Sequence, residues 1–182
     1  MRITALVAAV VLLAVLAAQW LRRNFVAVEV AGESMTPALQ PGEYLLLRRG
    51  GVPRGERAYG EIVALRDASG RLLLKRVIGL PGESVCAGEE VQINGRVLEE
   101  PYANGVTPVS QYRGVQRLVE GEHFLLGDRR DASTDSRDFG PADHSRLEGV
   151  VKFRYWPPSR VGLLSRPPRR FVEPRPASAP GA

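Results

Sequence analysis

The sequence predicts a mainly β domain of antiparallel strands, preceded by one membrane-spanning helix at the N-terminus. Three observations lead to this fold class. Residues 3–21 form an uncharged apolar run, the segments after it are short and rich in alternating or β-branched apolar residues, and turn signals separate those segments. No segment between them has the length and periodicity of a crossover helix, so we expect an antiparallel sheet or barrel.

The N-terminal run ITALVAAVVLLAVLAAQWL, residues 3–21, is about as long as a bilayer-spanning helix requires. Arg2 precedes it, Trp20 suits a membrane interface, and an Arg-Arg pair follows at 22–23. The alternative is a secretory signal peptide cut after residues 15–17. Such peptides have a shorter apolar region, so we expect a retained anchor. The flanking charges are nearly balanced and barely decide its orientation.

The strand-like segments occupy most of the chain after the anchor. They are residues 25–31, 43–49, 61–66, 71–80, 89–93, 96–100, 115–119, 122–128 and 147–156. Asn94-Gly95 lies between two of them and predicts a type I′ hairpin. These segments predict one β domain over residues 25–156. The Pro- and Arg-rich residues 157–182 lack a sustained apolar period and predict a disordered tail.

Composition narrows the possible partners and chemistry. The formal net charge is +5, but much of the excess lies in the tail, without a basic helix or aromatic stacking positions. Nucleic acid is therefore not the expected partner, whereas a membrane with anionic lipid is a natural one. Cys86 is the single cysteine, which excludes an intramolecular disulfide and a multi-cysteine metal site. His123 and His144 are interpreted as structural residues, so we expect no histidine relay.

The first motif with chemical content is GESMTP, residues 32–37, which contains Ser34. Gly, Ser and Pro are the usual residues of turns, and the hexapeptide alone favours an ordinary turn. A serine presented on such a turn after a strand is also where a nucleophile could stand. The choice depends on the other motifs.

The second motif is LLLKRVIGLPGE, residues 72–83. Strand alternation sends Lys75 and Arg76 to opposite faces, so one of them is expected to face inward. If that residue is Lys75, burial lowers its pKa, which would have to reach about 7 for half of the amines to be neutral at neutral pH. A neutral amine can accept the proton of a serine hydroxyl. The alternative is a lysine on a solvated strand face.

The third motif is GDRRDASTDSRDFG, residues 127–140, whose composition suits a tight loop held by side-chain hydrogen bonds. Asp135 and Arg137 are spaced to form a bidentate pair, and Ser133 could offer a hydroxyl to a lysine. The alternating aspartates also suggest a metal-binding loop. The interleaved arginines would repel a cation, so we do not favour a metal site.

In this order and at these separations, the anchor and the three motifs resemble the type I signal peptidases. Residues 91–103, VQINGRVLEEPYA, resemble the stretch that this family carries before its final loop. The resemblance covers about residues 1–156. It implies a membrane-anchored serine endopeptidase with a mainly β fold that removes leader peptides from exported preproteins. The catalytic domain would lie on the extracytoplasmic side of the cytoplasmic membrane, and no metal or cofactor would be needed.

The resemblance also assigns residues. It makes Ser34 the nucleophile and Lys75 the general base, and it implies that Ser133 orients the lysine amine. The oxyanion would be bound by the backbone N–H of Ser34. Gly32 stands where some members supply a serine hydroxyl as an additional donor. Substrate would lie extended beside residues 25–31, with small residues at its −1 and −3 positions.

The same resemblance gives supporting roles and one departure. Asp135 and Arg137 would brace the loop that carries Ser133, and Met35 would pack beneath the nucleophile. Arg129 stands where the family usually has Asn, which puts the local bonding of the loop in doubt.

Two other classes of protein stay open. One is a different Ser/Lys enzyme of similar fold, such as a self-cleaving repressor or a maturation peptidase of a conjugation system. A repressor would need a DNA-binding module where this chain has an apolar helix. The other is a catalytically silent, membrane-anchored β domain that binds peptides.

Overall fold

The computed structural model of the protein describes residues 2–111 and 113–172. Helix α1, Arg2–Asn24, runs directly into strand β1, Phe25–Glu29. Within α1, the 19 residues Leu6–Asn24 are long and apolar enough to cross a bilayer. The predicted N-terminal apolar helix is therefore confirmed, and it continues three residues beyond the predicted end at 21.

The larger sheet has eight strands and carries the sequence motifs. In spatial order it runs through the first, second, eleventh, third, fourth, ninth and tenth strands of the chain, and the twelfth pairs with the eleventh. All of its pairings are antiparallel. After β1, its strands are β2 (Tyr44–Arg49), β3 (Ile62–Arg66), β4 (Leu72–Gly79), β9 (Glu122–Leu126), β10 (Ala142–Asp143), β11 (Leu147–Trp156) and β12 (Gly162–Leu163).

The smaller sheet has five antiparallel strands, in the order β13-β7-β6-β5-β8. They are β5 (Ser84–Ala87), β6 (Val91–Ile93), β7 (Arg96–Leu98), β8 (Arg113–Arg117) and β13 (Phe171–Val172). Asn94 and Gly95 join β6 to β7 with φ angles of 52° and 78°, both positive as a type I′ turn requires. The mainly β, antiparallel fold and this hairpin are confirmed. β5, β10, β12 and β13 were not predicted, because short strands carry little periodicity.

The helices that follow α1 in the described residues are short. They are the one-turn α2, Ser136–Phe139, and the 3₁₀ turns Gly55–Ala58, Val109–Gln111, Arg130–Ala132, His144–Arg146 and Pro158–Arg160.

Apolar residues fill the space on both faces of the larger sheet. Strand β3 shows why: Val63 and Leu65 belong to a cluster shared with the smaller sheet, whereas Ile62 and Ala64 belong to a second cluster. Successive side chains of a strand point to opposite faces, so a strand covered on both sides is apolar throughout. The second cluster lies beneath the GESMTP motif.

Residues 157–172, here called the C-terminal strap, are ordered, and the prediction of a disordered tail is wrong for them. β12 pairs with β11, and β13 pairs with β7. Arg169 binds Glu83 at 2.7 Å and stacks over the ring of Tyr59 at 5.0 Å. Ion pairs and stacking hold this segment in place. It lacks apolar periodicity, so its composition did not predict that it packs against the domain. Residues 173–182 of the predicted tail lie outside the described residues.

Candidate active site

Ser34 lies on a compact turn, residues 33–39, between β1 and β2. The backbone N–H of Thr36 donates to the carbonyl oxygen of Glu33 at 2.9 Å, and that of Leu39 donates to Met35 at 2.8 Å. Met35 is only 2% exposed and Leu39 is fully buried, and both belong to the second apolar cluster. The two side chains fix the turn to the sheet beneath it, which leaves Ser34 at the edge of the groove described below.

Lys75 reaches Ser34 from the middle of β4. Its Nζ donates to Oγ of Ser34 at 2.9 Å, although 41 residues separate them in sequence. Lys75 is 2% exposed. Burial lowers the pKa of Lys75 to about 8, opposed by the carboxylate of Asp135 and reinforced by the guanidinium of Arg137. About one amine in ten is then neutral at pH 7.

Arg76 points to the opposite face of β4 and is also buried. It donates to both carboxylate oxygens of Asp128, at 2.8 and 2.5 Å, and to the carbonyl oxygen of Gly60 at 2.9 Å. The ring of Tyr102 lies 4.5 Å from its guanidinium carbon. The prediction that only one of the two basic residues faces inward is therefore wrong, because protein covers both faces of the sheet here and Asp128 balances the second charge.

The 127–140 loop follows β9 and is held by a buried ion pair. Arg137 donates through Nε and Nη2 to the two carboxylate oxygens of Asp135, each at 2.8 Å, and both side chains are 0% exposed. Asp135 also accepts from the N–H of Gly127 at 2.9 Å, and Arg137 donates to the carbonyl oxygen of Arg130 at 2.8 Å. The predicted bidentate pair therefore joins the beginning of the loop to its end.

Ser133 lies on this loop and is 6% exposed. Its Oγ has no hydrogen-bond partner among the described residues, and it packs against Gly127. The loop is joined to the Ser34 turn through the backbone, because the N–H of Arg129 donates to the carbonyl oxygen of Ser34 at 3.0 Å. The side chain of Arg129 forms an ion pair with Glu33 across the same junction.

A groove of about 410 Å³ leads to the Ser34–Lys75 contact. It is lined by residues 28–35 on one side, by 71–75 on the other, and by Ala132 and Thr134. Gly32 lies within the first of these segments. A Cβ atom on Gly32 would meet no atom within 4 Å, so the groove is open at this point.

Sequence reasoning missed a second support of the loop, which comes from residues 99–107. Asn104 donates its backbone N–H to Asp128 and accepts from that of Arg130, both at 2.7 Å. Arg130 also forms a bidentate pair with Glu100, with both distances 2.7 Å. The signal in the sequence was the charged pair Glu99-Glu100, which directly follows a short strand. The partner of Glu100, Arg130, lies 30 residues later.

The structure brings His123 and His144 together, with ring centroids 5.3 Å apart, although neither contributes to the groove. Across residues 2–111 and 113–172, no group of three or more His, Cys, Asp or Glu side chains is arranged to hold a metal ion.

Comparisons with known proteins agree with the motifs. Residues 3–156 match the family described as signal peptidase, peptidase S26. The chain is 32% identical to signal peptidase IB of Staphylococcus aureus (strain COL) over 145 residues, which are 70% of this chain and 76% of the relative. It is also 32% identical to signal peptidase I of Bacillus caldolyticus over 141 residues, 70% of this chain and 78% of the relative. A crystal structure of a signal peptidase I from Enterococcus faecalis V583 is 30% identical, covers 54% of this chain and 98% of its own, and has a TM-score of 0.44.

Proposed function

Because the chain belongs to the type I signal peptidases of family S26, serine peptidases that remove signal peptides, we propose that Ser34 and Lys75 are its catalytic dyad. The observation that carries the proposal is the 2.9 Å contact between Nζ of Lys75 and Oγ of Ser34. This distance allows direct proton transfer. Burial favours the neutral form of the amine, which is the form that can act as a base.

In the first half of the reaction, the neutral amine of Lys75 accepts the proton of the Ser34 hydroxyl as Oγ attacks the scissile carbonyl carbon. The tetrahedral intermediate then collapses, the peptide C–N bond breaks, and the Lys75 ammonium gives its proton to the leaving nitrogen. The product is an ester between Ser34 and the signal peptide. In the second half, Lys75 accepts a proton from water, the resulting hydroxide attacks the ester, and Oγ recovers the proton.

Charge develops on the carbonyl oxygen in both halves. The backbone N–H of Ser34 is the donor that we assign to it. Gly32 leaves open space where a side-chain hydroxyl could add a second donor. We assign Ser133 to orient the Lys75 amine, because its buried hydroxyl is otherwise unpaired among the described residues. The Asp135–Arg137 pair would keep the loop of Ser133 in place.

Substrate would bind in the groove as an extended strand between residues 28–35 and 71–75. Small side chains at −1 and −3 would point into its floor beside Ser34. We assign residues 3–21 as the membrane anchor and residues 25–156 as the catalytic domain. The anchor would cross the cytoplasmic membrane and hold the domain against lipid on the extracytoplasmic side, where signal peptides emerge; nucleic acid is not a proposed partner.

The test uses purified full-length protein in detergent and a peptide in which a leader segment ending in Ala-x-Ala is followed by further residues. Cleavage after Ala-x-Ala is measured. Ser34→Ala and Lys75→Ala should each abolish turnover. Lys152→Ala is the matched control, since Lys152 is 40% exposed by side chain and pairs with Glu61 away from the groove. Full activity in either dyad variant would contradict the assignment. Failure of the parent protein to turn over any leader peptide would favour the silent peptide-binding domain.

A further inference from the structure

The C-terminal strap begins after residue 156, where the match to the family ends. One of its contacts comes from Arg160, the last residue of the 3₁₀ turn Pro158–Arg160. The guanidinium of Arg160 reaches back to the turn that carries Ser34, which lies more than 120 residues earlier.

Arg160 holds this turn at its C-terminal half. Its Nη2 donates to the carbonyl oxygen of Ala38 at 3.1 Å and lies 3.4 Å from that of Pro37. Its Nη1 lies 3.0 Å from the carboxylate of Glu43, which is 2% exposed. One side chain therefore connects the strap, the Ser34 turn and the beginning of β2.

Arg154 of β11 shares these partners. It donates to the carbonyl oxygen of Ala38 at 3.0 Å, to Glu43 at 3.1 Å and to the carbonyl oxygen of Arg160 at 2.6 Å. Glu43 thus has two guanidinium partners. Removing Arg160 leaves the buried carboxylate paired with Arg154, so the fold should tolerate the change. What is lost is one of the donors that fix the turn.

The Ser34 turn is also held by the 127–140 loop, through the bond from the Arg129 N–H to the Ser34 carbonyl oxygen. The turn therefore has two attachments, one at Ser34 itself and one at residues 37–38. Its Oγ must stay within hydrogen-bond distance of Lys75 for the proton transfer. A misplacement of about 1 Å can cost about 100-fold in rate.

We propose that Arg160 is a positioning residue for the nucleophile, acting through the carbonyl groups of Pro37 and Ala38. The inference rests on the proposed role of Ser34. Arg160 contacts neither Lys75 nor the lining of the groove, so it should affect the rate of the chemical step and leave peptide binding and the ionisation of Lys75 unchanged.

The experiment measures kcat, KM and the pH profile for Arg160→Met, Arg160→Lys and Arg166→Met in the full-length protein. Arg166 is the matched control: it lies on the same strap, donates to the carbonyl oxygen of Arg57 at 2.6 Å and makes no contact with the Ser34 turn. We expect kcat of Arg160→Met to fall by about 10-fold, with KM and the apparent pKa unchanged. Arg160→Lys should recover a large part of the loss, since an ammonium can still donate to one carbonyl, and Arg166→Met should retain the kcat of the parent.

An unchanged kcat in Arg160→Met, or an equal loss in Arg166→Met, would overturn the inference. All rates are compared well below the unfolding temperature of each variant. Should Arg160→Met not be recovered folded, Arg160→Gln replaces it, with the same comparison to Arg166→Met deciding the outcome. Ser34→Ala is measured in parallel. Activity in Ser34→Ala would contradict both the proposed nucleophile and the role of Arg160. An inactive Ser34→Ala together with an unimpaired Arg160→Met would contradict the role of Arg160 alone.

Discussion

Gly127 and Ser133 pack so closely that a Cβ atom on Gly127 would lie 2.1 Å from Oγ of Ser133. The same Cβ would lie 2.6 Å from the carbonyl oxygen of Ser34. The backbone at Gly127 thus fills the space between the Ser34 turn and Ser133, the residue proposed to orient the Lys75 amine. A side chain of any size at this position must push these two groups apart.

Gly127→Ala should therefore reduce kcat by about 100-fold or more, because it displaces Ser34 relative to Lys75. It should also destabilise the fold by about 1–3 kcal/mol, as overpacking usually does. Enzyme kinetics and thermal unfolding check the two parts. Gly114→Ala is the control, since a Cβ there meets no atom within 4 Å. Wild-type kinetics in Gly127→Ala would contradict the close packing.

The pH dependence of cleavage should report the ionisation of Lys75. If the neutral amine of Lys75 is the base, as proposed, its lowered pKa of about 8 means that kcat/KM should rise about 10-fold per pH unit below pH 8 and level off above it. The measurement is kcat/KM over a pH series. The substrate is a leader-bearing peptide without ionisable groups, so that only the enzyme titrates. A profile that is flat between pH 6 and 8 would exclude Lys75 as the titrating base.

Lys75→Met should make the protein inactive but more stable. At pH 7 the folded protein buries a charged amine, and a pKa lowered from 10.5 to about 8 corresponds to a cost of about 3 kcal/mol. Between pH 8 and 10.5 the unfolded state binds more protons than the folded state, so the stability of the parent should increase with pH across this window. Denaturant unfolding at pH 7 and pH 10 checks both statements. The stability of Lys75→Met should show no such increase, and a less stable Lys75→Met at pH 7 would contradict the cost of burial.

Ser133→Ala should separate catalysis from folding. Its Oγ has no partner among the described residues, so removing the hydroxyl breaks no hydrogen bond and should leave the free energy of unfolding unchanged or slightly higher. If Ser133 orients the Lys75 amine during the reaction, kcat should fall by about 10-fold or more while KM stays constant. Unfolding curves and kinetics on the same preparation of Ser133→Ala measure both effects. Full activity of Ser133→Ala would contradict the proposed role of Ser133 in orienting the Lys75 amine.

Gly32→Ser should be tolerated and should increase the rate. A Cβ at position 32 meets open space, so stability should change by less than about 0.5 kcal/mol. The added hydroxyl can become a second donor to the oxyanion, and we expect kcat to rise about 10-fold. Gly32→Ala supplies the Cβ without the hydroxyl. A serine variant no faster than the alanine variant would place the oxyanion elsewhere.

The family and the mainly β fold were predicted correctly from the sequence, because local patterns carry that information. Strands alternate, Asn94-Gly95 specifies its own turn, and the motifs occur in a fixed order. The burial of both Lys75 and Arg76 could not be predicted. The burial of Arg76 depends on Asp128, which is 52 residues away and becomes a neighbour only when β4 pairs with β9.

The strap was missed for a related reason. Its order comes from arginines that bind carboxylates and carbonyl groups of distant segments, and ion pairs of this kind leave no periodic pattern in the sequence. The burial of Glu43 could not be predicted for the same reason, since nothing near it in sequence indicates that it pairs with Arg154 and Arg160.

Helix α1 passes into β1 at Asn24 and Phe25 without an intervening linker. The five residues of β1 then rise by about 17 Å, at roughly 3.3 Å each. If α1 is the membrane anchor, as proposed, this direct connection would hold the Ser34 hydroxyl at a fixed height above the membrane surface. A scissile bond would then be selected by its distance from the end of the substrate's apolar segment, as well as by the side chains around it.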